Sequence, residues 1–277
     1  MENIQRPKIG LALGSGGAKG LSHIGIIKAF EKNNIPIDFI AGSSIGALIG
    51  SFYAAHKDSA LMEKTALGTN WKTSFYLIDP AWPQGFIKGK KIESLLKDWL
   101  KKVDFSNLQI PLTVVATDLI TGQEVDLSTG DIITAVRSSL SVPAIFEPVK
   151  YQNYLLADGG LCNPLPSEVV RKMGADIVIG VNLDSGNFGL EQTEIFSGSA
   201  KINWSKISIR SLNILRHYLA KNSFDLADLI IEPEVAEIGL MGWKEFFDTK
   251  QTQKLIDSGF SAAQAAMPKI KKLIEQK

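Results

Sequence analysis

Twice near its N-terminus the chain runs from a short apolar stretch through a glycine-rich turn into helical periodicity. Lys8-Ile9-Gly10-Leu11-Ala12-Leu13 reads as a buried strand ending in Gly14-Ser15-Gly16-Gly17-Ala18-Lys19-Gly20. Leu21, Ile24, Ile27 and Phe30 follow at three-residue spacing, the stripe of a helix with one buried face. Ile37 to Ala41 reads as the second strand, Gly42-Ser43-Ser44-Ile45-Gly46 as the second turn, and Ile45 to Ala55 as the second helix. Continuous apolar strands are expected where helices cover both faces of a sheet, and strand–helix alternation makes that sheet mostly parallel. The pattern confines the chain to the α/β class.

The remaining segments extend it. Leu112 to Thr117 is a strand, and Gln123 to Leu127 pairs with it through the Thr121-Gly122 turn. Asp131 is the N-cap of a helix reaching Ser139. Tyr154 to Ala157 is a short strand, and Leu165 to Met173 a helix closed by Gly174. Asp176 to Leu183 is a Val- and Ile-rich strand. Residues from about 200 to 227 are helical, Leu229-Ile230-Ile231 is the last strand, and a final helix begins near Lys250. The expected architecture is a three-layer α/β/α sandwich around a mostly parallel sheet. At ~100–200 residues per domain the length allows one domain or two. The chain's motifs run in order from the first strand to the last, so one domain over residues 1–277 is expected, with a motif-bearing core at about 7–185 and the segment 200–277 packed on it. Lys57 to Gly89 is less regular and carries Trp71, Phe75, Tyr76, Trp82 and Phe86. It reads either as a packed surface excursion or as a lid beside a site.

Composition removes several function classes. Thirty basic and 29 acidic side chains leave a formal charge of +1, too little excess for bulk nucleic-acid binding. One cysteine, Cys162, allows no internal disulfide or multi-cysteine zinc site, and three histidines make a transition-metal enzyme a poor fit. Met1 to Lys8 has no apolar core of a signal peptide. Ile37 to Ala55 is apolar but is broken by Asp38, Gly42, Gly46 and Gly50, so it reads as a buried strand–turn–helix rather than a bilayer span. A cytoplasmic protein is expected, with room for reversible contact with a membrane surface. Lys88, Lys90 and Lys91 read as a solvated surface and, with the nearby aromatics, as a second choice for meeting anionic lipid heads.

Three motifs carry chemistry. Gly42-Ser43-Ser44-Ile45-Gly46 matches the G-x-S-x-G nucleophile elbow in its required strand–turn–helix setting. Gly42 and Gly46 let the chain turn sharply, and Ser44 projects from the turn with a helix N-terminus behind it. The loop from Gly14 to Gly20 presents backbone N–H groups to an anion, either a nucleotide phosphate or a developing oxyanion. The Walker pattern fails because Gly20 follows Lys19, and G-x-G-x-x-G fails because Lys19 occupies its last glycine position. Asp38 keeps the dinucleotide reading open as a ribose-binding acid, but an elbow on the next strand favours the oxyanion. Asp158-Gly159-Gly160 ends a strand. Alone it is a turn; near an elbow its carboxylate suits a general base.

Gly16-Gly17-Ala18-Lys19-Gly20, Gly42-Ser43-Ser44-Ile45-Gly46 and Asp158-Gly159-Gly160, in this order, resemble the patatin-like phospholipase family. Ala116-Thr117-Asp118 with Thr121-Gly122 resembles segments of its bacterial members, which are similar to the catalytic domain of neuropathy target esterase. So does Val136-Arg137-Ser138-Ser139 with Ser141-Val142-Pro143-Ala144-Ile145-Phe146. Ile230-Ile231-Glu232-Pro233 and Ile238-Gly239-Leu240 extend the resemblance, which runs from about Pro7 to Phe260. It implies a Ser–Asp dyad without histidine. Ser44 would attack an acyl carbonyl, Asp158 would take its proton, and the backbone of Gly16, Gly17, Ala18 and Lys19 would hold the oxyanion. Water would then free the acid from acyl-Ser44. The implied substrate is a lipid carboxylic ester: a phospholipid, a lysophospholipid or an acylglycerol. No metal, nucleotide or organic cofactor is implied. Ser15 and Lys19 depart from the family's usual glycine and arginine, and the lysine loses the planar fork.

The rival α/β-hydrolase triad needs a histidine after its acid, and only His217 follows Asp158. Its helical surroundings favour a packing role. His23 is expected to pack or hydrogen-bond near the glycine loop, and His56 to complement a helix C-terminus. Arg137 and Asp118 are expected to form supporting polar structure, and Cys162 a buried thiol. Soluble acyl esters or thioesters are the alternative substrates, and a non-catalytic regulator of the same fold is the alternative class.

Overall fold

Strand β1 (Ile9–Leu13) is buried along its whole length. Ile9, Leu11 and Leu13 enter one apolar cluster and Ala12 another, because successive side chains point to opposite faces. These assignments come from a computed structural model that describes residues 6–68, 87–101, 104–184, 204–235 and 248–277. On the first face lie α1 (Ser22–Lys32), α2 (Ile45–His56), α3 (Ser59–Gly68), α4 (Lys90–Leu100), α5 (Ile132–Ser139) and α8 (Thr249–Glu275). On the second lie α6 (Ser167–Lys172) and α7 (Trp204–Asn222), through Val169, Val170 and Ala220. The expected three-layer α/β/α sandwich is present.

Eight strands form the sheet among the described residues. β3 (Leu112–Asp118), β2 (Phe39–Ser43), β1, β7 (Ile177–Val181) and β8 (Leu229–Ile231) pair in that order, all parallel. β4 (Glu124–Leu127) and β6 (Tyr154–Asp158) run antiparallel to β3, and β5 (Val149–Tyr151) makes a hairpin with β6.

The register of β3 brings distant parts of the chain together. Val114 and Val115 pair with β2 and with β4; Ala116 and Thr117 pair with β4 and with β6. A strand has two edges, so β4 occupies one while β2 and then β6 share the other. β2 and β6 run toward each other along that edge and their C-terminal ends meet. A Cβ added to Gly159, just past β6, would lie 2.8 Å from the Ser43 hydroxyl oxygen.

α1 and α8 cross closely because glycine faces backbone on both sides. A Cβ on Gly25 would sit 1.8 Å from the Ile256 carbonyl oxygen, and one on Gly259 1.9 Å from that of Ser22.

Several boundaries differ from the sequence reading. The second strand begins at Phe39 rather than Ile37; Asp38, just before it, turns its carboxylate to Arg6 and the Ile9 N–H. β5 was not expected; three residues are too few for a period to register. Residues 59–68 of the supposedly irregular segment form α3, whose apolar stripe is weak because only Ser59 and Met62 are buried. α4 was also unread, although Leu96 and Leu100 are its buried residues at four-residue spacing. Lys90 and Lys91, read as surface, open that helix. Trp71, Phe75, Tyr76, Trp82, Phe86 and Ile238-Gly239-Leu240 lie outside the described residues. No described helix is long and apolar enough to cross a membrane.

Candidate active site

The β2–α2 turn leaves Ser44 with φ 54° and ψ −121°, a conformation disfavoured for any residue with a Cβ. Neighbouring glycines make the turn sterically feasible. A Cβ on Gly42 would approach the Gly46 carbonyl carbon to 2.5 Å, and one on Gly46 would approach the Leu13 carbonyl oxygen to 2.1 Å. Ser139 pins the turn from α5: its hydroxyl accepts from the Ser44 N–H at 2.8 Å and donates to the Val115 carbonyl at 2.6 Å.

Across the strand ends, Ser44 Oγ donates to Asp158 Oδ2 at 2.5 Å. Both residues are buried, 6% and 5% exposed. The other carboxylate oxygen, Oδ1, accepts from the Gly160 N–H at 2.8 Å. Asp158's own backbone is fixed by its N–H to the Ser141 carbonyl and its carbonyl to the Thr117 hydroxyl. Burial pushes the Asp158 carboxyl above the usual carboxylate range; the Ser44 hydroxyl, the Arg216 cation and the Gly160 N–H oppose this, and Asp184 adds to it.

The glycine loop reaches the same end of the sheet from β1. Its first two N–H groups are spent, Gly14 on the Val181 carbonyl and Ser15 on the Pro164 carbonyl. Those of Gly16, Gly17 and Ala18 open a 3-10 turn over Gly17–Leu21, where no earlier helical carbonyl can take them. His23 is fully buried with Nε2 2.8 Å from the Gly14 carbonyl, so Nε2 carries the proton. Burial lowers the His23 pKa to about 4, and the ring is neutral. Ser15 is 1% exposed. A Cβ on Gly160 would lie 2.9 Å from both Ser15 Oγ and Asp158 Oδ1, so the loop abuts the acid's turn.

A polar group that sequence reading missed lies beside the loop. Arg216 on α7 donates through Nη2 to both oxygens of Asp184, each at 2.9 Å, with both side chains 8% exposed. Lys19 Nζ is 3.5 Å from the Leu183 carbonyl, and burial lowers its ammonium pKa against the pull of Asp184. No local pattern links positions 184 and 216; only the packing of α7 does. The role of Ser139 was equally unread, although its segment carried part of the resemblance.

The other singled-out residues take structural partners. His217 Nδ1 bonds the Asp184 carbonyl, and His56 Nε2 donates to the Trp99 carbonyl. Asp38 sits at the start of β2, the opposite end of the sheet from the glycine loop, and is held by Arg6, which removes it as a ribose ligand. Arg137 is 1% exposed and donates to Ser141 Oγ and to the Lys88 and Glu147 carbonyls. Asp118 accepts from Ile120, Thr121 and Leu155. Cys162, expected to be buried, is only half-buried, and its partial removal from water raises the thiol pKa. Among the described residues no group of three His, Cys, Asp or Glu side chains is arranged around a metal position.

A family model described as patatin-like phospholipase matches residues 11–171, which span the loop, the elbow and Asp158. The chain belongs to the patatin-like phospholipase family. Among the relatives of this patatin-like chain is an uncharacterized NTE family protein of Mycobacterium tuberculosis. It is 37% identical over 184 residues, covering 66% of this chain and 51% of that protein. Neuropathy target esterase sws of Drosophila melanogaster is 31% identical over 183 residues, 64% of this chain and 13% of its own. The chain thus matches about half the length of its mycobacterial relative. Among solved structures, VipD from Legionella pneumophila shares the fold, with a TM-score of 0.54 at 15% identity, over 98% of this chain and 67% of that one. Asp184 and Arg216 fall beyond the family-model match.

Proposed function

We propose that this patatin-like chain is a serine acyl hydrolase that cleaves carboxylic esters of lipids through Ser44 and Asp158. The observation that carries the reading is the buried 2.5 Å hydrogen bond from Ser44 Oγ to Asp158 Oδ2. Asp158 takes the Ser44 proton as Oγ attacks the acyl carbonyl. The second carboxylate oxygen stays on the Gly160 N–H, so the base keeps its orientation while its charge is neutralised. Negative charge gathers on the carbonyl oxygen, and the N–H groups of Gly16, Gly17 and Ala18 are the donors assigned to it; that of Lys19 is taken by the 3-10 turn. Collapse expels the alcohol, which recovers the proton from Asp158 and leaves acyl-Ser44. Water then attacks, Asp158 again accepting a proton, and the acid leaves. A carboxylate whose pKa is pushed up is a better base than a free one.

Hydrolysis of short-chain nitrophenyl esters tests the reading. Ser44→Ala should abolish it, and Asp158→Asn should lower it by about 10²–10⁴-fold. A fluorophosphonate probe should label wild type at Ser44 and leave Ser44→Ala unlabelled. His217→Ala should keep near-wild-type turnover; a loss comparable to Asp158→Asn would restore the triad. Faster turnover of phospholipid in vesicles than of monomeric esters would place the substrate in lipid, and the reverse would favour soluble acyl esters.

A further inference from the structure

The segment carrying Asp184 follows β7, and α7 lies on the face opposite α2. α7 packs against the Gly159–Leu161 turn that follows Asp158. From this helix Arg216 turns inward. It grips both oxygens of Asp184 with one nitrogen, Nη2, in a site where both side chains are almost fully excluded from water. Its Nε is buried and bonded to nothing among the described residues. Arginine kept for stability alone is expected to spend its full fork, since an apolar pair of similar volume generally does as well as a buried ion pair. This one leaves its Nε unspent, on a helix packed against the turn that follows Asp158.

We propose that Arg216 is a positioning residue of the Ser44–Asp158 pair, anchored by Asp184 so that its charge faces the Asp158 carboxylate. The inference rests on the dyad reading above. The groups around Asp158 permit few alternatives. From the β2–α2 turn it meets the Ser44 hydroxyl, and from its own turn the Gly160 N–H. On β3, Asp118 is committed to its own turn, and on α5, Arg137 is committed to Ser141 and two carbonyls. On β5, Lys150 is exposed. From the glycine loop, Lys19 interacts with Asp184 and Arg216. From α7, His217 bonds the Asp184 carbonyl. Among the described residues, Arg216 and Asp184 act on Asp158 through their charges, with opposite signs. An opposite charge favours ionisation of a carboxylate, and a like charge disfavours it.

Opposite signs supply the test. The acid limb of the kcat/KM–pH profile for a soluble nitrophenyl ester reports ionisation of the base in free enzyme. Arg216→Gln, which can still hydrogen-bond Asp184, should move that limb to higher pH by about one unit, a tenfold loss of rate on the limb. Arg216→Lys should restore the wild-type position. Asp184→Asn should move the limb to lower pH. A residue that served only the fold would lower rates without these opposed displacements. If folded Arg216→Gln and Asp184→Asn both leave the limb in place, or shift it the same way, the proposal is overturned. Should Arg216→Gln fail to fold, Asp184→Asn decides: a downward shift supports the proposal and no shift overturns it. Fluorophosphonate labelling of Ser44 in wild type separates this outcome from failure of the dyad itself.

Discussion

Ser44 occupies a backbone conformation that its own Cβ disfavours, and Asp158 sits as a carboxylate away from water. Both cost stability at the position where chemistry is proposed. Strain of this kind amounts to about 1–3 kcal/mol per residue. Ser44→Gly removes the steric part but also the hydroxyl that donates to the buried Asp158 carboxylate, a loss of about 1–3 kcal/mol, so the two offset and urea unfolding should change by about 1 kcal/mol or less while hydrolysis is abolished. Asp158→Asn should also raise the Tm at neutral pH. The folded-state pKa is raised, so above the ordinary carboxylate range the unfolded chain ionises more readily than the folded one. Stability therefore falls as pH rises through that interval, and a neutral amide escapes the loss. Ser139→Ala should act in the other direction. It leaves the Ser44 N–H and the Val115 carbonyl without their shared partner, a destabilisation of about 1–3 kcal/mol measurable by urea unfolding, with slower ester turnover.

Among the elements, the α1–α8 crossing shows how a remote contact supports the site. α1 continues directly from the glycine loop's 3-10 turn, so the position of α1 sets that of the loop. Replacing a helical glycine by alanine gains up to about 1 kcal/mol of helix propensity. At Gly25 and Gly259 the new Cβ would stand under 2 Å from a backbone oxygen, which no side-chain rotation can relieve. Overpacking of about 1–3 kcal/mol or more wins over propensity. Gly259→Ala should therefore lower the Tm and, by displacing α1, reduce ester turnover although it touches no proposed catalytic group. A Tm at or above wild type would refute the close-packing account.

For the whole molecule, the buried neutral His23 links global stability to pH. Its pKa falls from 6.5 to about 4 on folding. Above the unfolded value neither state is protonated and the contribution is complete. As pH drops from 6.5 toward 4 the unfolded chain takes up the proton first, and about 3 kcal/mol should be lost across that window. His23→Gln should show a flatter stability curve between those limits in urea unfolding at stepped pH. Equal slopes would mean that the ring is protonated in the folded state.

Much of this was legible in the chain. Apolar runs followed by glycine turns and three-residue stripes specify strand–turn–helix units locally, because burial and backbone sterics act over a few residues. The α/β class, the N-cap role of Asp131 and the candidates Ser44 and Asp158 followed from them. Other features had no local sign. β5 is too short to show a period, α3 buries too little to show a stripe, and Asp184 and Arg216 are an ordinary acid and base until α7 is docked. The sharing of one β3 edge by β2 and β6 depends on register, which determines that the ends carrying Ser44 and Asp158 meet. Residue types and their spacing could name the groups. Only tertiary packing decided which of them face one another, because contacts between distant segments depend on strand order, register and the close approach of helices.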